Sequence, residues 1–112
     1  MSQTQFGDYL RKLRLAQERP DRTYSVRGLA AKIEVASCYV SKVERGDVGP
    51  PSEATIKKLA EALGEDPDRM LAKAGKVSTD LKEIIIRRPG LFAPLLRRLK
   101  GLSDEQIKAL LA

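Results

Sequence analysis

The stretch "SVRGLAAKIEVASCYVSKVERG", Ser25–Gly46, decides the fold. Val26, Leu29, Ala30 and Ile33 recur at i, i+3, i+4 and i+7, the apolar stripe of a helix with Ser25 as its N-cap. A second helix begins at Ala36 or Ser37, with Ala36, Val40 and Val43 directed inward. Only two or three residues separate the patterns. Cys38, Ser41, Lys42 and Arg45 lie on the opposite side, with Ser37 at its edge and Glu44 at the flank. That outward side is short, polar or basic, and free of acid. Short side chains let the backbone come close to base edges and phosphates, and an acid there would be repelled. Two helices joined by a tight turn supply the matching geometry. The first crosses a phosphate backbone, and the second lies in a major groove about 12 Å wide. The helix N-terminus at Ser25 and Val26 offers free N–H groups and a positive dipole end to a phosphate, and Arg27 adds a charge.

Outward from this hairpin, Phe6, Tyr9, Leu10 and Leu13 make one stripe of a first helix from about Thr4 to Gln17, broken by "ERPDRT". After the loop "GDVGPP", Ser52 caps a fourth helix with Ile56, Leu59, Ala60 and Leu63 buried. Asp66 and Pro67 open a fifth as cap and first helical residue. Gly46, Gly64, Gly75 and Gly101 each follow a helical pattern and suit a positive φ. Five short helices in residues 1–75 are followed by a helical extension, 76–112. There Leu81, Ile84 and Ile85 form one stripe ended by Pro89, and Phe92, Leu95, Leu96 and Leu99 form another. "SDEQ" at 103–106 reads as a capping box before Ile107, Leu110 and Leu111. No strand-like alternation persists, so the class is all-α.

Composition narrows the chemistry. The chain has 112 residues, 42% hydrophobic and 4% aromatic, which suits packed helices of Leu, Ile, Val and Ala. The formal net charge is +6 and the pI about 9.7, compatible with a polyanionic partner. Residues 1–75 carry 13 Lys or Arg against 11 acids, and residues 76–112 carry 8 against 4. The single cysteine, Cys38, allows no intrachain disulfide and fits a reducing cytoplasm. With no histidine, Ser-His-Asp and Cys-His catalysis is impossible and a Cys/His metal site is nearly excluded. No convergent set of titratable groups marks an enzyme. No cofactor or metal is expected. The opening "MSQTQFGDYL" is not a signal peptide, and no apolar run is long enough for a membrane span.

Residues 6 to about 75 resemble the Cro/repressor-type (XRE-like) helix-turn-helix DNA-binding domain, a compact, lambda-repressor-like five-helix bundle. The resemblance rests on an ordered set: "LRKLR" at 10–14, "GLAAKI" at 28–33, "YVSKVERG" at 39–46 and "PSEATIKKLAEALG" at 51–64. It implies base readout by Ala36, Ser37, Cys38, Ser41 and Lys42. It implies phosphate contacts from Val26 (mainly through backbone), Tyr39, Arg45 and Ser52, and a buried ion pair between Arg14 and Glu44. The chain departs from the family pattern at four points. Glu34 stands where the turn usually has glycine, so either Glu34 takes a positive φ or the turn is altered. Ala36 replaces a capping Ser or Thr. Val26 replaces a glutamine. The link around Pro20 has about five extra residues.

The implied protein is a sequence-specific transcriptional regulator, a repressor, located in the cytoplasm at the nucleoid. It reads an inverted repeat in double-stranded DNA through a recognition helix at about 36–45, as a homodimer through 76–112. Two other readings fit the same residues. One is an antitoxin whose tail masks a toxin; the other is a protein-interaction bundle without DNA. Cys38 is best read as a small residue facing DNA, with a redox switch as its alternative. Arg87, Arg88, Arg97, Arg98 and Lys100 read as the wet sides of amphipathic helices.

Overall fold

A computed structural model describes residues 3–112. Among these the chain is all-helical: α1 Gln3–Ala16, α2 Val26–Lys32, α3 Ser37–Arg45, α4 Glu53–Leu63, α5 Pro67–Lys73, α6 Thr79–Arg87, α7 Pro89–Leu99 and α8 Asp104–Leu111. It divides into two units, one through Ser78 and one from Thr79 to Ala112.

The first unit is α1–α5 around one core of Phe6, Leu10, Leu29, Ile33, Val40, Val43, Ile56, Leu59, Leu63, Met70 and Leu71, all buried. Each helix starts where the sequence offers a cap. The Ser25, Ser52 and Asp66 side chains accept from the amides of Gly28, Thr55 and Asp68, satisfying donors that the first turn cannot. α3 follows Ala36 without a side-chain cap.

Four helices end in one way. After α2, α3, α4 and α5 a residue in the left-handed region lets the next amide reach back five residues: Val35 to the Ala30 carbonyl, Asp47 to Lys42, Glu65 to Ala60 and Lys76 to Leu71. At three of these ends the left-handed residue is glycine, with φ 76° at Gly46, 69° at Gly64 and 71° at Gly75. After α2 it is Glu34, at φ 60°. The helix-turn-helix corner therefore keeps its shape and takes the positive φ on a glutamate.

α1 and α3 cross at Gly7. A Cβ there would meet the Val43 and Glu44 carbonyl oxygens at 2.5 Å, so α3 lies directly on the α1 backbone. The link between α1 and α2 is ordered around Tyr24, which is buried beneath the Arg19 guanidinium at 5.1 Å and the Lys32 ammonium at 5.5 Å from its ring centre. Asp21 ties the turn by accepting from the amide and hydroxyl of Thr23.

In the second unit, α6 and α7 pack on each other. No residue of α6, α7 or α8 is buried. The capping box at Ser103 and Gln106 forms. Two sequence-based expectations need correction. Ala36 is exposed, not inward-facing, because it precedes the first turn of α3. Gly101 is not among the positive-φ residues; its amide bonds to Arg98 in a tight turn instead. Pro94 lies inside α7, within the stripe of Phe92, Leu95, Leu96 and Leu99.

Candidate nucleic-acid interface

α3 presents two sides. Val40 and Val43 are buried at 2% exposure. Ala36, Cys38, Lys42 and Arg45 are exposed, with Ser37, Tyr39 and Ser41 half-buried. No acid stands on the outward side. The one acid of the helix, Glu44, is 8% exposed and turned inward. Its Oε2 accepts from Arg14 Nε at 2.7 Å and its Oε1 from Arg14 Nη2 at 2.9 Å, while Arg14 Nη1 donates to the Tyr24 carbonyl at 3.3 Å. The bidentate pair joins α1 to α3, and the third bond ties Arg14 to the end of the α1–α2 link. The hydrogen bonds to Glu44 raise the Arg14 pKa above its ordinary value, against the opposing effect of burial. The face therefore keeps a glutamate in its sequence without a negative charge on its surface.

Around α3 the remaining candidates divide by environment. Ser25, Val26 and Arg27 line an open concavity with Arg14, Arg22 and Gly28, and its ionisable side chains are all arginine. The amides of Val26 and Arg27, at the first turn of α2, have no partner within the helix. The Ser25 hydroxyl is already engaged: it donates to the Arg22 carbonyl at 2.8 Å and accepts from Gly28 N at 3.1 Å. A second concavity holds Val26, Ser41 and Arg45 together with Arg11, but Asp8, Glu44 and Asp47 line it too. Arg45 Nε contacts Asp47 Oδ2 at 2.9 Å with both side chains more than half exposed, a pair that water and salt weaken. Ser52 is exposed, bonded through its hydroxyl to Thr55. Tyr39 packs its ring against the core edge. The concavity lined by basic side chains alone thus lies at the α2 N-terminus with Arg22 and Arg27, and Lys42 and Arg45 are the exposed cations on the outward side of α3 beside it.

Residues 5–72 match the model of a helix-turn-helix domain family. The chain belongs to that family. The matched span covers α1 from its first turn through nearly all of α5, so it includes every residue of the two concavities. Among curated proteins, the chain is 39% identical over 79 residues to the uncharacterized HTH-type transcriptional regulator RghRB of Bacillus subtilis, covering 70% of this chain and 53% of that one. It is 40% identical over 72 residues to the HTH-type transcriptional repressor RghR of the same organism, covering 64% and 50%. The chain spans about half the length of these relatives. No solved structure matches it significantly.

Arg22 and Arg11 were not among the sequence candidates. Arg22 sits in the inserted link, where a run of charge reads as a helix breaker. It lines the basic concavity with a φ of 66°, which local sequence does not reveal. Among the described residues no helix is long and apolar enough to cross a membrane, and no cluster of three or more metal-ligating side chains occurs.

Proposed function

We propose that this helix-turn-helix protein is a sequence-specific DNA-binding transcriptional regulator that acts as a repressor, with α3 as the recognition helix. What carries the reading is the acid-free outward side of α3, kept so by the inward pairing of Glu44 with Arg14. Ala36, Ser37, Cys38, Ser41 and Lys42 face base edges. Lys42 is long enough for a guanine O6 and N7, and the small neighbours let the backbone approach. Phosphates are held by the free amides of Val26 and Arg27, with Arg22, Arg27 and Ser25 around them, and by Tyr39, Arg45 and Ser52. Arg45 exchanges its exposed carboxylate partner for a phosphate. The similarity to RghR, an HTH-type transcriptional repressor, supports the sign of regulation. Such a protein works in the cytoplasm, at the nucleoid.

A homodimer through residues 76–112 completes the reading. One α3 covers few base pairs, and two copies related by a two-fold axis read an inverted repeat with half-site centres about 34 Å or a multiple apart. The uncovered apolar faces of α6, α7 and α8 also fit the antitoxin alternative, in which a toxin covers them. A stoichiometric second protein on purification favours that alternative.

Selection of bound duplexes from a random pool is the direct test. Recovery of a two-fold-symmetric site supports the regulator, and an unenriched pool refutes it. On the selected duplex, affinity falls linearly with the logarithm of salt concentration. Lys42→Glu lowers it about a hundredfold or more, and unchanged affinity refutes the placement of α3.

A further inference from the structure

The helices of the second unit have 9, 11 and 8 residues and bury nothing. Helices this short are marginal alone in water, where tertiary burial usually supplies their stability. Leu81, Ile84, Leu95, Leu96, Leu110 and Leu111 are each at least 40% exposed. Covering these side chains would supply that burial, and the charge pattern indicates by what. Residues 79–100 carry six Lys or Arg against two acids, whereas residues 101–112 carry two acids against one lysine. At the α6–α7 corner, Ile84 and Phe92 form an apolar floor rimmed by Arg87 and Arg88. Among the described residues no ion pair engages either arginine. α8 has the complementary pattern. Asp104, Ile107 and Leu111 share one face at i, i+3 and i+7, with Glu105 beside the acid end.

We propose that α8 of one copy docks in the α6–α7 corner of a second copy, and reciprocally. Asp104 and Glu105 face the partner's Arg87 and Arg88, and Ile107 and Leu111 cover Ile84 and Phe92. The inference rests on the homodimer reading and specifies its contacts. The corner lies at the N-terminal end of α7, whereas α8 follows the C-terminal end of α7, about 16 Å away along the helix. An α8 folding back on its own chain brings Asp104 beside Arg97, Arg98 and Lys100 and leaves Arg87 and Arg88 out of reach of the α8 acids; Glu83, one turn before Arg87 on α6, makes no ion pair with it. The acids reach the corner from a second copy, and a two-fold axis makes the exchange mutual.

Sedimentation of the full chain tests this with two charge-reversal variants, Arg87→Glu/Arg88→Glu and Asp104→Lys/Glu105→Lys. Like charges then face each other twice in each homodimer, and each variant alone shows a dimer dissociation constant raised about a hundredfold. Mixed, they form a heterodimer in which both contacts pair opposite charges, and affinity returns to within about tenfold of the parent chain. Helical circular dichroism at concentrations where the parent is dimeric checks that the variants fold. A parent chain that is monomeric overturns both this contact and the homodimer. A dimeric parent whose variants also stay dimeric overturns the contact and leaves the homodimer standing. Variants that become monomeric and do not recover on mixing overturn the exchange between copies.

Discussion

Glu34→Gly is the sharpest test of how the helix-turn-helix corner is built. Four helices of the first unit end in the same reach-back hydrogen bond, and three have glycine at the left-handed residue. Glu34 alone carries a side chain there, at φ 60°. In that region Cβ crowds the following carbonyl oxygen, at a cost of roughly 1–2 kcal/mol for an L-residue. Glycine removes this cost but gives the unfolded chain more freedom, worth about 0.4–1 kcal/mol in the opposite direction. The expected net effect is a stabilisation of about 0.5–1 kcal/mol. At roughly 4–8 °C per kcal/mol for a domain of this size, thermal unfolding shifts upward by about 2–8 °C. Glu34→Ala is the control, because it removes the exposed carboxylate and keeps the Cβ; its stability stays within about 0.5 kcal/mol of the parent. Urea unfolding of the three proteins measures both differences. A glycine variant no more stable than the alanine variant refutes the assignment of left-handed strain to this residue.

Three further outcomes are expected. Glu44→Gln leaves the Arg14 guanidinium buried without its counter-charge and destabilises by about 3–5 kcal/mol, whereas Arg14→Met/Glu44→Leu recovers most of that loss; urea midpoints decide it, and equal losses in the two proteins contradict the pairing. Gly7→Ala pushes a methyl against the Val43 and Glu44 carbonyls and costs about 3 kcal/mol, seen as a lower midpoint with unchanged slope. The Tyr9 hydroxyl donates to Glu65 Oε2 at 2.7 Å, and burial first, then Glu65, raises its pKa above the ordinary 10.0. A raised folded pKa means the stabilisation is intact below pH 10.0 and lost as pH climbs above it, so Tyr9→Phe flattens the alkaline limb of stability against pH.

The parts of the fold legible from sequence are those governed by neighbours along the chain. Ser25, Ser52, Asp66 and Ser103 cap the helices their local patterns indicate. The core stripes follow the 3.6-residue period, so Leu29, Val40, Ile56 and Leu59 fall inside as their spacing requires. Contacts between distant segments left no periodic trace; of these only the Arg14–Glu44 pair was expected, and that from the family resemblance. Gly7 looks like any helical glycine until α3 is laid across it. Tyr24 looks like part of a charged link until Arg19 and Lys32 close on its ring. Glu34 admitted two turns from sequence alone, because a positive φ on a glutamate is decided by what the rest of the corner demands. The candidate interface divides in the same way. The exposed side of α3 follows from helical period, while the contribution of Arg22 depends on a link with no periodic pattern.

Three features act on α3. Gly7 sets its distance from α1, the Arg14 fork fixes it through Glu44, and the Glu34 turn sets its direction out of α2. The fork and the turn have alternatives that would be as stable or easier to form: an apolar pair for the fork, a glycine for the turn. A buried carboxylate also does something an apolar residue cannot. With two oxygens and a forked guanidinium, it allows one relative position of the two helices, where leucine and methionine would accept several. A base-reading helix gains from that restriction, since a displacement of about 1 Å breaks a bidentate hydrogen bond that hydrophobic packing would tolerate. On this argument the apolar double variant keeps its stability and loses discrimination between the selected duplex and a mismatched one. Competition binding with the two duplexes measures that ratio, and an unchanged ratio removes the positioning role from the Arg14–Glu44 pair.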